Sequence, residues 1–396
     1  MASSTKILHE FPFFIRVYED GRVERFLKAP RVPPSTDPVS GVRTKDVIVS
    51  SDLEVKSRIF LPKTDPTNPP RKLPLIIYVH GGGYCTGSPL NALTHGFLAP
   101  LVSQTPAVAV AVGYRLAPEH PLPAAYDDCW AAFKWIDSHA HGSGPDPWLN
   151  EYVDTARVFL IGESVGANLA HYLAVQAGVN KTGLGIRGLI AIHPYFSQKE
   201  PDKMLKYLYP TSSGSDDEAK LNPRSDPDLE KMGCTNVLVI VAEKDYLRPR
   251  GMDYVETLKM SKWGGRLEFM ENKGEDHCFH LFNTSSEKAK SLTQDLISYM
   301  NQKLMAWRGQ LSKNLKELRV LFCQTSEASS STRSFVEKNY KELKKANPKL
   351  PILIRECSGT EPQLWARYDM GVERGIRLEG MTEAQISKAL EDLVKS

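Results

Sequence analysis

Three residues, far apart in the chain but each placed just after an apolar run, have the makings of an acyl-transfer site: Ser164, Asp245 and His277. A tetrahedral intermediate at an acyl carbon needs a nucleophile, a base to take its proton, an acid to orient that base, and donors aimed at the developing oxyanion. Ser164 is the candidate nucleophile, at the centre of Gly162-Glu163-Ser164-Val165-Gly166. Glycines two residues to either side suit a sharp strand-to-helix turn, where the flanking backbone closes up and leaves no room for a Cβ. By itself the pattern is weak evidence: at average Gly and Ser frequencies a chain of this size shows it by accident about one time in eight. Asp245 follows the strand expected at 236–241, and His277 lies in the loop 273–280 after the next one, which gives the order Ser, Asp, His. Glu243 and His280 stand as rivals for the acid and the base.

The donors come from His80-Gly81-Gly82-Gly83. Gly81 and Gly82 allow the backbone to approach a ligand with its N–H groups exposed, and Val165, opening a helix, adds a third donor. Removing one such donor typically costs about 3 to 4 kcal/mol of transition-state stabilisation. An accidental HGGG run is expected in well under roughly 1% of chains this long. The two motifs together therefore carry far more weight than either alone. Residues 114–119 read as a loop that buttresses the site, and Cys85 and Cys278 as small buried hydrophobes.

The elements that would hold these residues are legible as a rhythm. A continuously apolar strand at 75–79 delivers the HGGG run, followed by strands at 107–112, 157–161, 188–193, 236–241 and 266–270, with helices at 124–138, 168–178, 255–261 and 286–301. Apolar strands alternating with amphipathic helices predict an α/β fold with a parallel, doubly wound sheet and right-handed crossovers. Such sheets place chemistry at the carboxyl ends of their strands. Alternation at 45–50 and 53–61 predicts an antiparallel pair, and 63–72 a Pro-rich surface turn. Residues 7–28 mix aromatic and basic side chains as an arm packed over something, and 193–236 reads as an inserted cap.

Composition narrows the classes. Net charge is only +3, with no dense basic stripe, so nucleic-acid binding is not expected. No apolar run reaches the length of a membrane span, and the first ten residues look like neither a signal nor a transit peptide, so a soluble cytoplasmic protein is expected for this unit. Six scattered cysteines without a C-x-x-C make neither a disulfide scaffold nor a zinc site, and no cofactor or metal is expected.

On these motifs, residues 1–302 resemble the plant carboxylesterases of the hormone-sensitive-lipase-like group. The runs 80–83, 114–119, 162–168, 242–245 and 274–280 carry the resemblance. It implies an α/β-hydrolase fold with a cap, a lid formed partly by the aromatic arm, His277 as the base, and a small-molecule carboxylic ester of short to medium chain as substrate. The segment 201–221 is shorter than the family's cap at this point. Two relatives widen the implied functions: a gibberellin receptor that lacks the catalytic histidine, and 2-hydroxyisoflavanone dehydratase, which eliminates water. His277 argues against the first, and an intact Ser164 permits the second.

From Met305 the pattern changes. A strand at 315–323, a helix at 331–346 with Phe335, Val336, Tyr340 and Leu343 inward, and a strand at 351–357 form a βαβ unit. Extended segments follow at 364–368 and 375–378, and a last helix opens with Thr382 and Gln385 at capping-box spacing and turns Ile386, Ala389, Leu390 and Leu393 inward. A small thioredoxin-like α/β domain results, without the redox motif. Cys323 and Cys357 end strands joined by one crossover, so their thiols are expected side by side, compatible with either a disulfide or two free thiols. Residues 305–396 resemble the thioredoxin-like accessory subunit of respiratory complex I named alpha subcomplex subunit 2, most specifically at 350–357 and 364–368. The resemblance implies a non-catalytic mitochondrial role, with complex I matrix-arm subunits as partners. The units are therefore expected at 1–304 and 305–396, with almost no linker between them. That junction, with Met305 placed like an initiator, suggests two neighbouring reading frames joined into one.

Overall fold

Two hydrophobic cores, each closed within its own stretch of chain, divide the protein into Met1–Met300 and Asn301–Ser396 in the computed structural model. The structure describes residues 6–50, 55–64, 72–197, 202–212, 218–304 and 306–395. Most of the expected turn at 63–72, parts of the cap and Met305 lie outside the described residues.

The first unit opens with a three-stranded antiparallel sheet, β1 (Ile7–Phe11), β2 (Ile15–Tyr18) and β3 (Val23–Arg25), where sequence reading expected an arm packed over something and named no strands. The overlooked signal is Asp20-Gly21, a turn pair between two short alternating runs; Gly21 takes φ 82° and its N–H donates to the Tyr18 carbonyl at 2.9 Å. Ile15 and Val17 are buried beneath this flap while Arg16 between them points out.

An eight-stranded sheet follows: β4 (Arg43–Ser50), β5 (Val55–Leu61), β6 (Leu73–Val79), β7 (Val108–Val112), β8 (Val153–Glu163), β9 (Ile186–Ile192), β10 (Asn236–Ala242) and β11 (Arg266–Asn272), in the order β11-β10-β9-β8-β6-β7-β5-β4. From β6 to β11 every pairing is parallel, and β4 and β5 attach antiparallel at one side. All of β6 and β7 is buried, as strands covered on both faces require. The helices are α1 (Ala92–Gln104), α2 (Ala124–Asp137), α3 (Pro147–Tyr152), α4 (Val165–Asn180), α5 (Lys203–Leu208), α6 (Arg248–Met260), α7 (Phe279–Phe282) and α8 (Glu287–Leu304). Sequence periodicity does not announce α1. It carries Pro100, and its apolar residues are too evenly spread to define one face; only the cap is explicit, where Asn91 accepts from the Thr94 N–H at 3.0 Å. The cap between β9 and β10 is represented by α5 and by Leu208, Tyr209 and Leu221, all buried in the first unit's core.

In the second unit α9 (Leu311–Asn314), β12 (Glu317–Phe322), α10 (Ser330–Ala346), β13 (Ile352–Glu356), β14 (Gln363–Arg367), β15 (Glu373–Arg377) and α11 (Glu383–Lys395) build a sheet of order β13-β12-β14-β15. The β12/β13 pair is parallel and the others antiparallel, as in a thioredoxin-like sheet. Thr382 and Gln385 form the reciprocal capping box, at 2.8 and 3.4 Å. Tyr340, expected inward, is exposed: on α10 the inward line runs through Thr332, Phe335 and Leu343, and Tyr340 lies off it. Phe322 pairs with Glu356, which brings Cys323 and Cys357 next in register, yet both are free thiols and no bridge is formed. Cys323 Sγ instead accepts the Ser326 and Gly359 N–H groups at 3.4 Å each. The Thr325 backbone, followed by those of Gly359 and Ser326, pulls its pKa down to about 7. Thiol titration of the denatured, unreduced chain is expected to return all six cysteines; a count of four would mean that the neighbours oxidise.

Candidate active site

At the end of β8 the backbone turns sharply into α4, and Ser164 sits on the turn at φ 55° and ψ −125°. For a residue with a Cβ this is a strained conformation, of order 1 to 3 kcal/mol. It persists because the surroundings over-determine it: the Ser164 N–H donates to the Ile192 carbonyl at 2.9 Å and its carbonyl accepts from Tyr195 at 3.0 Å. The flanking glycines are steric necessities. A Cβ on Gly162 would collide with the Gly166 carbonyl, and one on Gly166 with the carbonyl of Val79.

Asp245 follows β10 and is buried. One of its oxygens accepts the Leu247 N–H at 2.7 Å and the other the Nδ1–H of His277, also at 2.7 Å. With the proton on Nδ1, the His277 Nε2 lone pair is left toward the cavity that Ser164 also lines. No hydrogen bond joins Ser164 to His277 among the described residues; in sites without substrate the hydrogen bond between a nucleophile and its base is often long or poorly aligned. His280 does not compete: it is buried, both ring nitrogens lack partners, and it packs edge-on to Phe97 at 5.1 Å. Its pKa falls well below the ordinary value through burial. Glu243 is turned to the loop backbone, accepting the Gly274 N–H at 2.8 Å.

A residue that sequence reading missed is His193, at the end of β9. Its Nδ1 accepts the Cys278 N–H at 2.9 Å and so pins the loop that carries His277. Burial, aided by nearby His277, lowers its pKa to about 4 and keeps it neutral for this task. The available signal was its position, since β6, β8 and β10 also end at the site.

The expected donor set needs one correction. The Gly81 N–H donates to Glu163 Oε1 at 2.8 Å, so Gly81 is a tether and does not face a ligand. Among the described residues the N–H groups of Gly82, Gly83 and Val165 have no protein acceptor. The set therefore shifts by one residue along the run. Glu163 is itself buried; it accepts from Tyr78 Oη at 2.6 Å through the same oxygen, while its Oε2 is unpartnered. Burial, only partly offset by those two bonds, raises its pKa to about 7. An unfolded glutamate ionises near 4.3, so between about pH 4.3 and 7 the folded state holds a proton that the unfolded chain has released, and stability falls as pH rises through that window. Glu163→Gln is expected to abolish a loss of order 3 kcal/mol there. Urea titrations of both proteins at pH 4.5 and 7.5 test it, and parallel curves would refute it.

Residues 76–281, just over half of the chain, match the family model described as the alpha/beta hydrolase fold. The chain belongs to the α/β-hydrolase family. A probable mitochondrial carboxylesterase, carboxylesterase 4 of Arabidopsis thaliana, is 40% identical over 75% of this chain and 84% of its own. The 2-hydroxyisoflavanone dehydratase of Glycyrrhiza echinata is 38% identical over 76% of this chain and 100% of its own. Among solved structures, a hyperthermophilic esterase from Pyrobaculum calidifontis is similar at 26% identity and a TM-score of 0.55, covering 67% of this chain and 86% of that one. These likenesses bear out the plant-carboxylesterase resemblance. Residues 332–383 match a domain described as mitochondrial ribosomal protein L51 / S25 / CI-B8.

In this α/β-hydrolase two cavities meet at Ser164. The larger, about 670 Å³, runs between His277 and an aromatic wall of Phe13, Phe14 and Phe26; the smaller, about 290 Å³, lies under the cap helix α5 against Met204 and Leu208. Both share Phe14 and Tyr246. Arg25 at the end of the flap fastens this wall, bonding both oxygens of Glu119 at 3.0 and 2.6 Å and the Cys85 carbonyl at 2.7 Å. The loop 114–119 thus buttresses from both sides, because Tyr114 Oη also donates to the His80 carbonyl at 2.9 Å. Among the described residues no helix is long and apolar enough to cross a membrane.

Proposed function

We propose that the first unit is a serine carboxylesterase that hydrolyses short- to medium-chain carboxylic esters through an acyl-enzyme on Ser164. The observation that carries this reading is the Asp245–His277 hydrogen bond at 2.7 Å, set beside the cavity into which the strained Ser164 turn opens. His277 Nε2 takes the Ser164 proton as Oγ attacks the acyl carbon. The imidazolium so formed is stabilised by Asp245, whose carboxylate stays ionised. Gly82, Gly83 and Val165 donate to the oxyanion, and His277 returns its proton to the leaving alcohol. Water then repeats the cycle on the acyl-enzyme. Two cavities meeting at the nucleophile fit an ester, with one arm for the acyl group and one for the alcohol.

A series of p-nitrophenyl esters of increasing acyl length, with Ser164→Ala as control, tests this. Turnover that peaks at short or medium chains and vanishes in the control supports it. Elimination of water from a 2-hydroxyisoflavanone without ester turnover would favour the dehydratase reading, and tight binding without turnover a receptor. His280→Ala is expected to leave kcat within about tenfold of the parent, since its ring contacts Phe97 and His193 but not Asp245.

For the second unit we infer a non-catalytic accessory role in mitochondria, with complex I matrix-arm subunits as partners, resting on its likeness to the CI-B8 domain and its thioredoxin-like sheet. Separate cores favour the further reading that the two units serve separate tasks as products of neighbouring reading frames. Mass spectrometry of native tissue decides it: a peptide crossing Lys303 to Arg308 would refute the reading, and one that begins at or just after Met305 would support it.

A further inference from the structure

Next to the base lies a thiol that the esterase reaction does not use. Cys278 directly follows the base and sits in a left-handed backbone conformation, φ 52°. Its Sγ comes within 3.5 Å of His277 Nε2, and both residues line the larger cavity. We propose that His277 Nε2 and Cys278 Sγ form a two-point binding site for a thiophilic divalent cation of the zinc class, and that the bound cation inhibits the enzyme by occupying the base.

Three observations converge on it. Zinc bonds imidazole nitrogen at about 2.0 Å and thiolate sulfur at about 2.3 Å, and a tetrahedral angle between those bonds sets the two donors about 3.5 Å apart. That is the spacing already present between Nε2 and Sγ. The tautomer is also correct, because Nδ1–H is given to Asp245 at 2.7 Å and the lone pair needed by a metal is on Nε2. Asp245 then stands to His277 as carboxylates commonly stand to zinc-bound histidines, fixing the ring and raising its basicity. His193 completes a cluster whose donor atoms lie within 4.8 Å of one another, but its Nδ1 accepts the Cys278 backbone N–H at 2.9 Å and its Nε2 bonds Asn272 Oδ1 at 3.3 Å, so its contribution is to hold the backbone that carries the thiol. Two water molecules would complete a tetrahedral shell. On binding, the Cys278 thiol gives its proton to solvent and the sulfur bonds the metal; no electron changes hands.

Occupation of Nε2 removes the acceptor for the Ser164 proton, so the inhibition rests on the esterase reading, whereas the binding does not. Two readouts on the full chain keep them apart. With Co²⁺ as the probe, the thiolate-to-cobalt absorption of the parent is compared with that of Cys278→Ala, both in a Cys323→Ser/Cys357→Ser background that removes the thiols of the second unit. Zn²⁺ inhibition of p-nitrophenyl acetate turnover is measured on the same pair. The expected result is a cobalt band only when Cys278 is present, and a rise of tenfold or more in the Zn²⁺ concentration for half-inhibition when it is not, since even outer partners of a metal ligand are worth that much. Equal bands, or equal Zn²⁺ sensitivity in two active proteins, would overturn the site. A Cys278-dependent band in a chain that turns over no ester would uphold the site and sink the esterase reading instead. If Cys278→Ala does not fold, X-ray absorption of the parent with one equivalent of Zn²⁺ decides: one sulfur in the first shell supports the site, and none refutes it.

Discussion

Ser164→Ala is expected to lower kcat for ester hydrolysis by about 10⁶, and His277→Ala to lower it by a similar factor, because nucleophile and base act as a unit and neither retains its function without the other. The residual rate comes from donors that remain after either change: the N–H groups of Gly82, Gly83 and Val165 still polarise a bound carbonyl. The double mutant should therefore be little worse than either single one. Steady-state kcat on p-nitrophenyl acetate, with a burst experiment to count acylated sites, reads this directly. Additive losses in the double mutant would mean that Ser164 and His277 do not serve one step, and a His280→Ala loss exceeding that of His277→Ala would move the base to the buried ring.

The second large effect is expected from Asp245→Asn, a loss of about 10⁴ in kcat with the fold retained. Asp245 is buried and spends one oxygen on the Leu247 N–H and the other on His277 Nδ1–H, each at 2.7 Å. Asparagine keeps the shape and can still accept one of these bonds. Its amide nitrogen, however, offers a donor where Nδ1 carries a hydrogen, so the ring is driven to the tautomer with the proton on Nε2, which cannot accept from Ser164. Circular dichroism should be unchanged while activity collapses. A fall of tenfold or less would show that something else orients the ring; Glu243, exposed and bonded to the Gly274 N–H, is not placed to do so.

Much of this arrangement was legible because the relevant signals are local. The apolar stretches 73–79, 158–161 and 237–242 are too short for helices, and a candidate site residue follows each within three residues. What escaped is what depends on partners distant in sequence. That Gly81 is a tether and Gly83 an open donor follows from the Glu163 carboxylate lying 2.8 Å from one N–H and not the next, a fact of register between the ends of β6 and β8. His193 was missed for the same reason: its bond to the Cys278 N–H spans 85 residues. Helix α1 has no polar face to betray its period, and β1 to β3 are too brief to be separated from loop by composition. Tyr340 shows the converse limit, since helical spacing names a face but not how far round the helix burial extends.

The flap over Ser164 divides labour within the enzyme in a way that bears on how such proteins diverge. Every group proposed to do chemistry hangs from the ends of strands whose register is locked by the whole sheet, so none can shift without costs elsewhere. Phe11, Phe13, Phe14 and Phe26 are held differently: they lie in or just beside the strands of a separate small sheet, fastened to the body at Arg25. Substitution there reshapes the cavities without re-registering any strand of the main sheet. Selectivity can thus drift quickly at the amino terminus while the catalytic apparatus stays fixed, and exchanging residues 7–28 between relatives should transfer substrate preference more readily than it transfers rate.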